Sequence, residues 1–161
     1  RDGAGDERTC TLTPAIEPSL GARPRRGAAP KVRTEARVAY DAHNLYVFVR
    51  AYDPHPDSIV RLLSRRDDQT ASDQITIMLD PYHDRRTGYE FTVNPAGVKA
   101  DYAIYNDGSL EDVARDGVGE AATKVDSDGG TAAYRIPLSQ LQYYRHAGGS
   151  VCRLNWRVVQ R

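Results

Sequence analysis

Residues 73–105 read DQITIMLDPYHDRRTGYEFTVNPAGVKADYAIY, and their spacing decides the fold class. Ile75, Ile77 and Leu79 alternate with other residues in a first run, Tyr89, Phe91 and Val93 in a second, and Val98, Ala100, Tyr102 and Ile104 in a third. An apolar period of two is the pattern of half-buried strands. Residues 81–88 separate the first two runs, and Asn94-Pro95-Ala96-Gly97 separates the last two, its Pro and Gly suiting a tight turn. The expected product is a three-stranded antiparallel meander with those apolar residues facing a core.

Outward from this block the same pattern recurs. Thr34, Ala36, Val38 and Tyr40 alternate, Asp41-Ala42-His43-Asn44 turns the chain, and Leu45, Val47, Val49 and Ala51 alternate again, which predicts a β-hairpin. Its second strand is apolar on both sides for most of its length and is expected to be central and covered on both faces. Residues 121–125 and 131–136 form a further hairpin closed by residues 126–130. Pro137 ends it, residues 138–144 suit a short helix capped by Ser139, and residues 151–160 form a last strand with Cys152, Leu154, Trp156 and Val158 on one face. Two prolines, Pro54 and Pro56, stop the second strand; residues 59–63 fit either one helical turn or a short strand. Residues 106–120 read as a polar loop, and residues 1–31 as mostly irregular chain with a short edge strand near residues 9–13. No helix of three or more turns is needed anywhere. The class is therefore all-β, an antiparallel two-sheet β-sandwich, with residues 1–161 as a single domain.

Composition removes several functions. Lys plus Arg and Asp plus Glu both number 22, so no net field draws the chain to nucleic acid or to an anionic membrane. The longest apolar run, residues 45–49, is too short to span a bilayer, which predicts no direct membrane insertion. The chain starts at Arg1 without Met and reads as a mature product or an excised fragment. Cys10 and Cys152 lie near opposite ends; they allow one disulfide in an oxidising compartment or two free thiols, and no Cys/His zinc pattern is present. The cluster Arg23-Pro24-Arg25-Arg26 fits a solvated loop better than a phosphate site.

Several segments together resemble a known family: Val38-Ala39-Tyr40-Asp41 with Asn44-Leu45-Tyr46-Val47, Arg65-Arg66-Asp67, Asp73, Leu79-Asp80-Pro81-Tyr82, residues 84–91 (DRRTGYEF), Asn94-Pro95-Ala96-Gly97, Asp101 and Arg135-Ile136-Pro137-Leu138-Ser139-Gln140-Leu141. They are similar to the family 9 carbohydrate-binding-module-like domain, in the branch found at the N-terminus of bacterial proteins that end in an outer-membrane-barrel-like region. The resemblance covers nearly the whole chain. It implies a jelly-roll β-sandwich in an exported bacterial protein located in the periplasm, at the outer membrane or outside the cell, with a membrane-associated C-terminal region. Saccharide binding, in the service of carbohydrate breakdown, is implied by the wider family, as is structural calcium.

The departures from that branch are as informative. Aromatic residues, usually Trp, stand there near the positions held here by Cys10, Arg115, Gly119, Gly130 and Cys152, and Trp156 is the single Trp of this chain. Losing a packed aromatic costs ~3–5 kcal/mol, whereas a domain is stable by only ~5–15 kcal/mol. Five uncompensated core deletions are thus excluded. Either several of these sites faced solvent or ligand, or the interior has been repacked, or this copy is marginal.

Sugar-binding modules stack pyranose rings on flat aromatic side chains while rim hydroxyls take polar partners. Trp156 shares a strand face with Leu154 and Val158 and reads as core, so the expected ligand-binding residues are Tyr82, Tyr89, Tyr102 and Tyr105, with Tyr46 and Tyr52 in the first hairpin as further candidates. Packing across strands is the competing role for each of them. Asp67, Asp73, Asp80 and Asp84 flank strand ends and are the expected ligands of a structural Ca²⁺, against which stands simple pairing with Arg65, Arg66, Arg85 and Arg86. An enzyme is not expected. Glu90 with Asp101 is an incidental carboxylate pair, no nucleophile elbow or phosphate loop occurs, and the four histidines, His43, His55, His83 and His146, all fall in loops. Met78, the only Met, is a conceivable haem ligand but alternates with Ile77 and Leu79 and reads as core filler. The sequence thus predicts a non-catalytic module for an oligosaccharide or polysaccharide. The alternative is an interaction domain that has lost sugar binding.

Overall fold

The computed structural model describes residues 14–16, 32–67, 70–106, 110–112, 119–141 and 152–159. The first hairpin joins β1 (Thr34–Tyr40) to β2 (Asn44–Tyr52), and the central meander consists of β3 (Gln74–Asp80), β4 (Gly88–Val93) and β5 (Lys99–Tyr105). A short β6 (Leu110–Asp112) follows, then the hairpin of β7 (Glu120–Asp126) and β8 (Gly129–Pro137), and finally β9 (Arg153–Val159). These strands form two antiparallel sheets, ordered β1-β2-β8-β7 and β6-β5-β4-β3-β9.

Register explains why the sheets pack. In the first sheet Ala36 sits opposite Val49, Val47 opposite Tyr134 and Val49 opposite Ala132, so small and β-branched residues line one face. In the second, Ile77 lies between Phe91 and Trp156, and Leu79 between Tyr89 and Leu154. The two inner faces merge into one core of buried residues, against which Trp156, Val158 and Leu154 are partly buried. Trp156 therefore takes the core role expected of it. Burying Ile77, Leu79, Val47, Val49 and Ile136 contributes about 1.5–3 kcal/mol each relative to exposure. Tyr134 donates its hydroxyl to the carbonyl of Ile75, 2.7 Å away, so β8 lies over β3. Thr123 Oγ1 donates to Pro95 O at 3.4 Å, and a Cβ placed on Gly119 would lie 3.8 Å from the Phe91 ring, so β7 lies over β4.

Several expectations need correction. Residues 100, 102 and 104 do not face the core: Asp101 pairs with Phe91 and Ala103 with Tyr89, which puts Lys99, Asp101, Ala103 and Tyr105 on the inner face and Tyr102 on the outer. The physical reason is offset. β7 is the last strand of its sheet and already covers β4, so β5 extends past the facing sheet and its inner face need not be apolar. Met78 likewise points outward, opposite Glu90 and Asn155, and is not core filler. The stretch 106–120 is not all loop, because β6 pairs with residues 103–105 of β5. Residues 59–63 are neither helix nor strand; the only turn there is a 3-10 turn at Pro56–Ser58. Of the helix expected over residues 138–144, the described part is a 3-10 turn, Leu138–Gln140, with Pro137 and not Ser139 at its N-cap; residues 142–144 lie outside the described residues.

β2 is central, as expected, and Phe48 on its outer face is buried, but Arg50 and Tyr52 beside it are only half-buried. Ile16 forms a two-way backbone bridge to Ala36 on the edge of β1. The expected edge strand at residues 9–13, the Arg23–Arg26 cluster and Cys10 lie outside the described residues, and Cys152 carries a free, exposed thiol. His43, His55 and His83 are exposed, while His146 lies outside the described residues.

Candidate functional site

Two ends of the sandwich differ in chemistry. At the first end, the C-termini of β2, β4, β7 and β9 meet the N-termini of β3 and β8 around a cavity of about 40 Å³. Its apolar wall includes Ile59, Val93, Pro95, Val125 and Val158, and its polar rim includes Asp53, Asp73, Asn94, Thr123 and Lys124. Gly130 lines it too, and a Cβ added there would meet nothing within 4 Å. The cavity is thus the space that a side chain at position 130 would enter. None of the four expected tyrosines lines it.

At the opposite end, β1 finishes at Tyr40, β5 at Tyr105, and the β3–β4 loop carries Tyr82. Tyr40 is 80 % exposed and Tyr105 44 % exposed, so both present ring surface to solvent, and Tyr82 is half-buried. Tyr89 and Tyr102 differ: they retain 7 % and 8 % exposure, which leaves no ring face for a sugar to stack on. The structure therefore brings Tyr82 and Tyr105 to one end and removes Tyr89 and Tyr102 into packing. Tyr40 escaped the sequence reading because its parity matches the core face of β1. The usable signal was its position as the last residue before the polar Asp41-Ala42-His43 turn, where a strand projects beyond its core.

The loops at this end are held by their own carboxylates. Asp41 Oδ1 accepts the backbone N–H groups of His43 and Asn44, both at 2.7 Å, and Oδ2 accepts the Tyr46 hydroxyl at 2.9 Å. Those donors, His43 first, hold the carboxyl down at about 2. In the β3–β4 loop Asp84 Oδ1 accepts the N–H groups of Arg86 and Thr87 at 2.7 and 2.8 Å, and these lower its pKa. Asp80 accepts the N–H of Asp84 at 3.2 Å and of Arg85 at 3.0 Å and faces the Arg153 guanidinium at 3.8 Å.

These contacts bear directly on the expected calcium ligands. Asp67 accepts the N–H of Asp101 at 3.2 Å, Asp73 accepts the N–H of Val60 at 3.4 Å, and Asp80 and Asp84 hold the β3–β4 loop. The four carboxylates lie in three separate places, and among the described residues no group of three or more His, Cys, Asp or Glu side chains gathers to hold an ion. A Ca²⁺ needs six to eight oxygens converging on one point. Asp67, Asp73, Asp80 and Asp84 do not fit one calcium site.

Between the two ends, the inner face of β5 carries a polar cluster. The Arg66 guanidinium bonds Asp101 and lies 3.6 Å from Asp67, and Lys99 Nζ donates to Gly119 O at 3.3 Å. Burial pushes the Asp101 carboxyl up, and the Arg66 charge opposes the shift without cancelling it. Asp67 has φ of 63°, a left-handed conformation in which its N–H donates to Lys99 O at 3.1 Å. The chain around Arg66 therefore completes the free edge of β5 where β6 stops. Glu90 faces outward and Asp101 inward, so that incidental pair spans the sheet and not a cleft.

This is a two-sheet sandwich of the carbohydrate-binding-module type in its architecture. No family model matches the chain, and no curated protein matches it. Among solved structures it is similar to a family 9 carbohydrate-binding module from Caldicellulosiruptor kristjanssonii in complex with cellotriose, with a TM-score of 0.67 and 20% identity over 99% of this chain and 71% of that one. A complex of a family 9 module from the same organism with glucose gives a TM-score of 0.65 at 20% identity, over 98% of this chain and 71% of that one. A candidate carbohydrate-binding protein from Bacteroides uniformis gives 0.61 at 14% identity, covering 80% and 64%. At these identities the likeness is one of fold, and the fold is that of the family 9 modules. Among the described residues, no helix is long and apolar enough to cross a membrane.

Proposed function

We propose that the chain is a non-catalytic carbohydrate-binding domain of a larger exported bacterial protein, one whose C-terminal region is membrane-associated and whose task is to hold an oligosaccharide or polysaccharide. The observation that carries this reading is the overlay of 99% of the chain on a module solved with cellotriose. The exposed tyrosines supply the chemistry. Tyr105, with Tyr82 in the β3–β4 loop, offers ring faces for the apolar C–H surface of a pyranose at the end of the sandwich, while Tyr40 stands apart at the tip of the β1 edge strand. Polar neighbours for rim hydroxyls are at hand in Asn106, next to Tyr105, and His83, next to Tyr82.

Calorimetric titration with glucose and a series of cello-oligosaccharides tests it. Saturable heat is expected, and Tyr105→Ala is expected to reduce the affinity about five- to thirtyfold, since an aromatic contact with its buried area is worth ~1–2 kcal/mol. Tyr89→Phe, a core change, is expected to leave binding intact. Silence across the panel from folded protein would favour the interaction domain, a reading consistent with the burial of two of the four expected tyrosines.

A further inference from the structure

We infer that the first end of the sandwich, the one carrying Leu62 and Leu63, is a docking surface for an anionic lipid bilayer. Leu63 is 83 % exposed and Leu62 44 % exposed, although both are large aliphatic residues in a chain with a well-formed core. Their exposure is held in place. Ser72 Oγ accepts the Leu62 N–H at 3.3 Å, Asn94 Nδ2 donates to Leu62 O at 2.7 Å, and Ser72 and Asn94 are both buried. Asp73 N donates to Val60 O at 3.1 Å, pinning the chain two residues before Leu62. Buried polar groups thus fix the backbone of a protruding apolar pair.

Charge identifies the partner. Arg61 and Arg65, both exposed, flank the two leucines, and Lys124 stands exposed on the rim of the adjoining apolar cavity. None of these three side chains has a hydrogen-bond or ion-pair partner in the described structure. Of the carboxylates at this end, Asp73 is buried and accepts the N–H of Val60 at 3.4 Å, Asp53 is half-buried and accepts that of His55 at 2.8 Å, and Asp126 is paired with Arg50 at 2.7 Å, which leaves Asp57 and Asp128 exposed beyond the trio. With a formal net charge of zero the molecule has no overall field to offer, so attraction must come from this local trio. Protruding leucines ringed by unpaired cations match a headgroup layer: the aliphatic side chains enter the acyl boundary and the long basic chains reach phosphates. An acidic peptide would use the cations and leave Leu63 in water. The contact is peripheral, made by two side chains of a surface segment; among the described residues no helix is long and apolar enough to cross a membrane.

The test is sedimentation of the whole chain with vesicles of phosphatidylcholine alone or with about a third phosphatidylglycerol, at about 50 and 300 mM salt. Binding is expected to the anionic vesicles only and to weaken at the higher salt. Arg61→Glu with Arg65→Glu is expected to lower the partition coefficient about 25-fold or more, at roughly fivefold per basic residue. Leu63→Ser is expected to lower it about tenfold with an unchanged salt dependence. All three positions are exposed, so melting curves should coincide with that of the unsubstituted protein. Equal partition of Leu63→Ser and the parent would overturn the inference, as would absence of binding to anionic vesicles at low salt. Capture by polyglutamate without vesicle binding would also overturn it, in favour of an acidic protein partner.

Discussion

Two adjacent glycines should respond in opposite ways to the same methyl group. Gly130 lies on the inner face of β8 beside a cavity of about 40 Å³, has no positive φ, and a Cβ there meets nothing within 4 Å. At ~24 cal/mol per Å³, filling that volume is worth up to ~1 kcal/mol. Replacing a strand glycine removes a further ~0.5–1 kcal/mol of backbone entropy cost. Gly130→Val is therefore expected to stabilise by ~1–2 kcal/mol, raising Tm by about 2–8 °C for a domain of this length. Gly130→Ala fills less of the space and should gain about half. Gly129 is the control: its φ is 134°, and a Cβ would sit 2.2 Å from Ala51 O and 2.7 Å from Asp53 N. Both atoms are backbone, so neither yields cheaply, and Gly129→Ala should lose ~2–3 kcal/mol. Urea titrations followed by Trp156 fluorescence, paired with thermal melts by circular dichroism, measure both. A Gly130→Val protein less stable than the parent would refute the cavity argument, and a Gly129→Ala protein of parental stability would refute the geometry of the β7–β8 turn.

Other perturbations are expected to be equally discriminating. Asn94→Ala removes an acceptor for the N–H groups of Ala96 and Val98, at 3.0 and 2.9 Å, and a donor to Leu62 O; leaving these partly buried groups unmet should cost ~2–4 kcal/mol in a denaturant melt. Trp156→Phe should be tolerated within ~1 kcal/mol, because the indole Nε1 is buried without a partner and its removal takes away an unmet donor. The folded pKa of Asp41 lies below its ordinary value, so the unfolded chain binds the extra proton; its contribution is present above about pH 4 and is lost as pH falls toward about 2. Asp41→Asn should accordingly flatten the acid limb of a stability–pH curve. Asp101 has the opposite sign, its carboxyl being raised by burial, and a carboxyl-detected NMR titration should find it above the ordinary aspartate range and Asp41 below.

The strands were legible because period-two runs are long in this chain: β1 to β5 and the β7–β8 hairpin lie where alternation puts them. What alternation does not carry is which parity faces inward once a strand passes the edge of the opposite sheet. In β5 both parities contain apolar residues, and the one with Lys99 and Asp101 turned out to be internal, closed by Arg66 from 35 residues away. Tyrosines raise the same difficulty. Tyr89 and Tyr40 share an apolar parity, yet the first is in mid-core and the second at a strand tip, a distinction of position along the element and not of type. The carboxylates failed as a metal set for a different reason. Composition counts oxygens, while the N–H groups that already occupy them, as in the Asp84-to-Thr87 turn, are a matter of loop conformation; the Asp-x-x-Thr spacing was the available hint. The cavity at Gly130 could be anticipated only through the resemblance, which places an aromatic near that position.

The order in which strands enter the two sheets also governs how the chain must be made. β2 pairs with β8, and β3 pairs with β9, so each sheet is closed by a partner from the far end of the polypeptide, and the two closures interleave along it. The first sheet is complete once β8 has been made, whereas the second waits for β9. A nascent chain halted before Arg153 would carry the first sheet and the meander with the β3 edge, Ile75, Ile77 and Leu79 included, open to any neighbour. Such long-range closure predicts folding on the millisecond-to-second scale, with β9 as the latch of the second sheet. Holding the chain unfolded until β9 has emerged would therefore guard against strand pairing between copies.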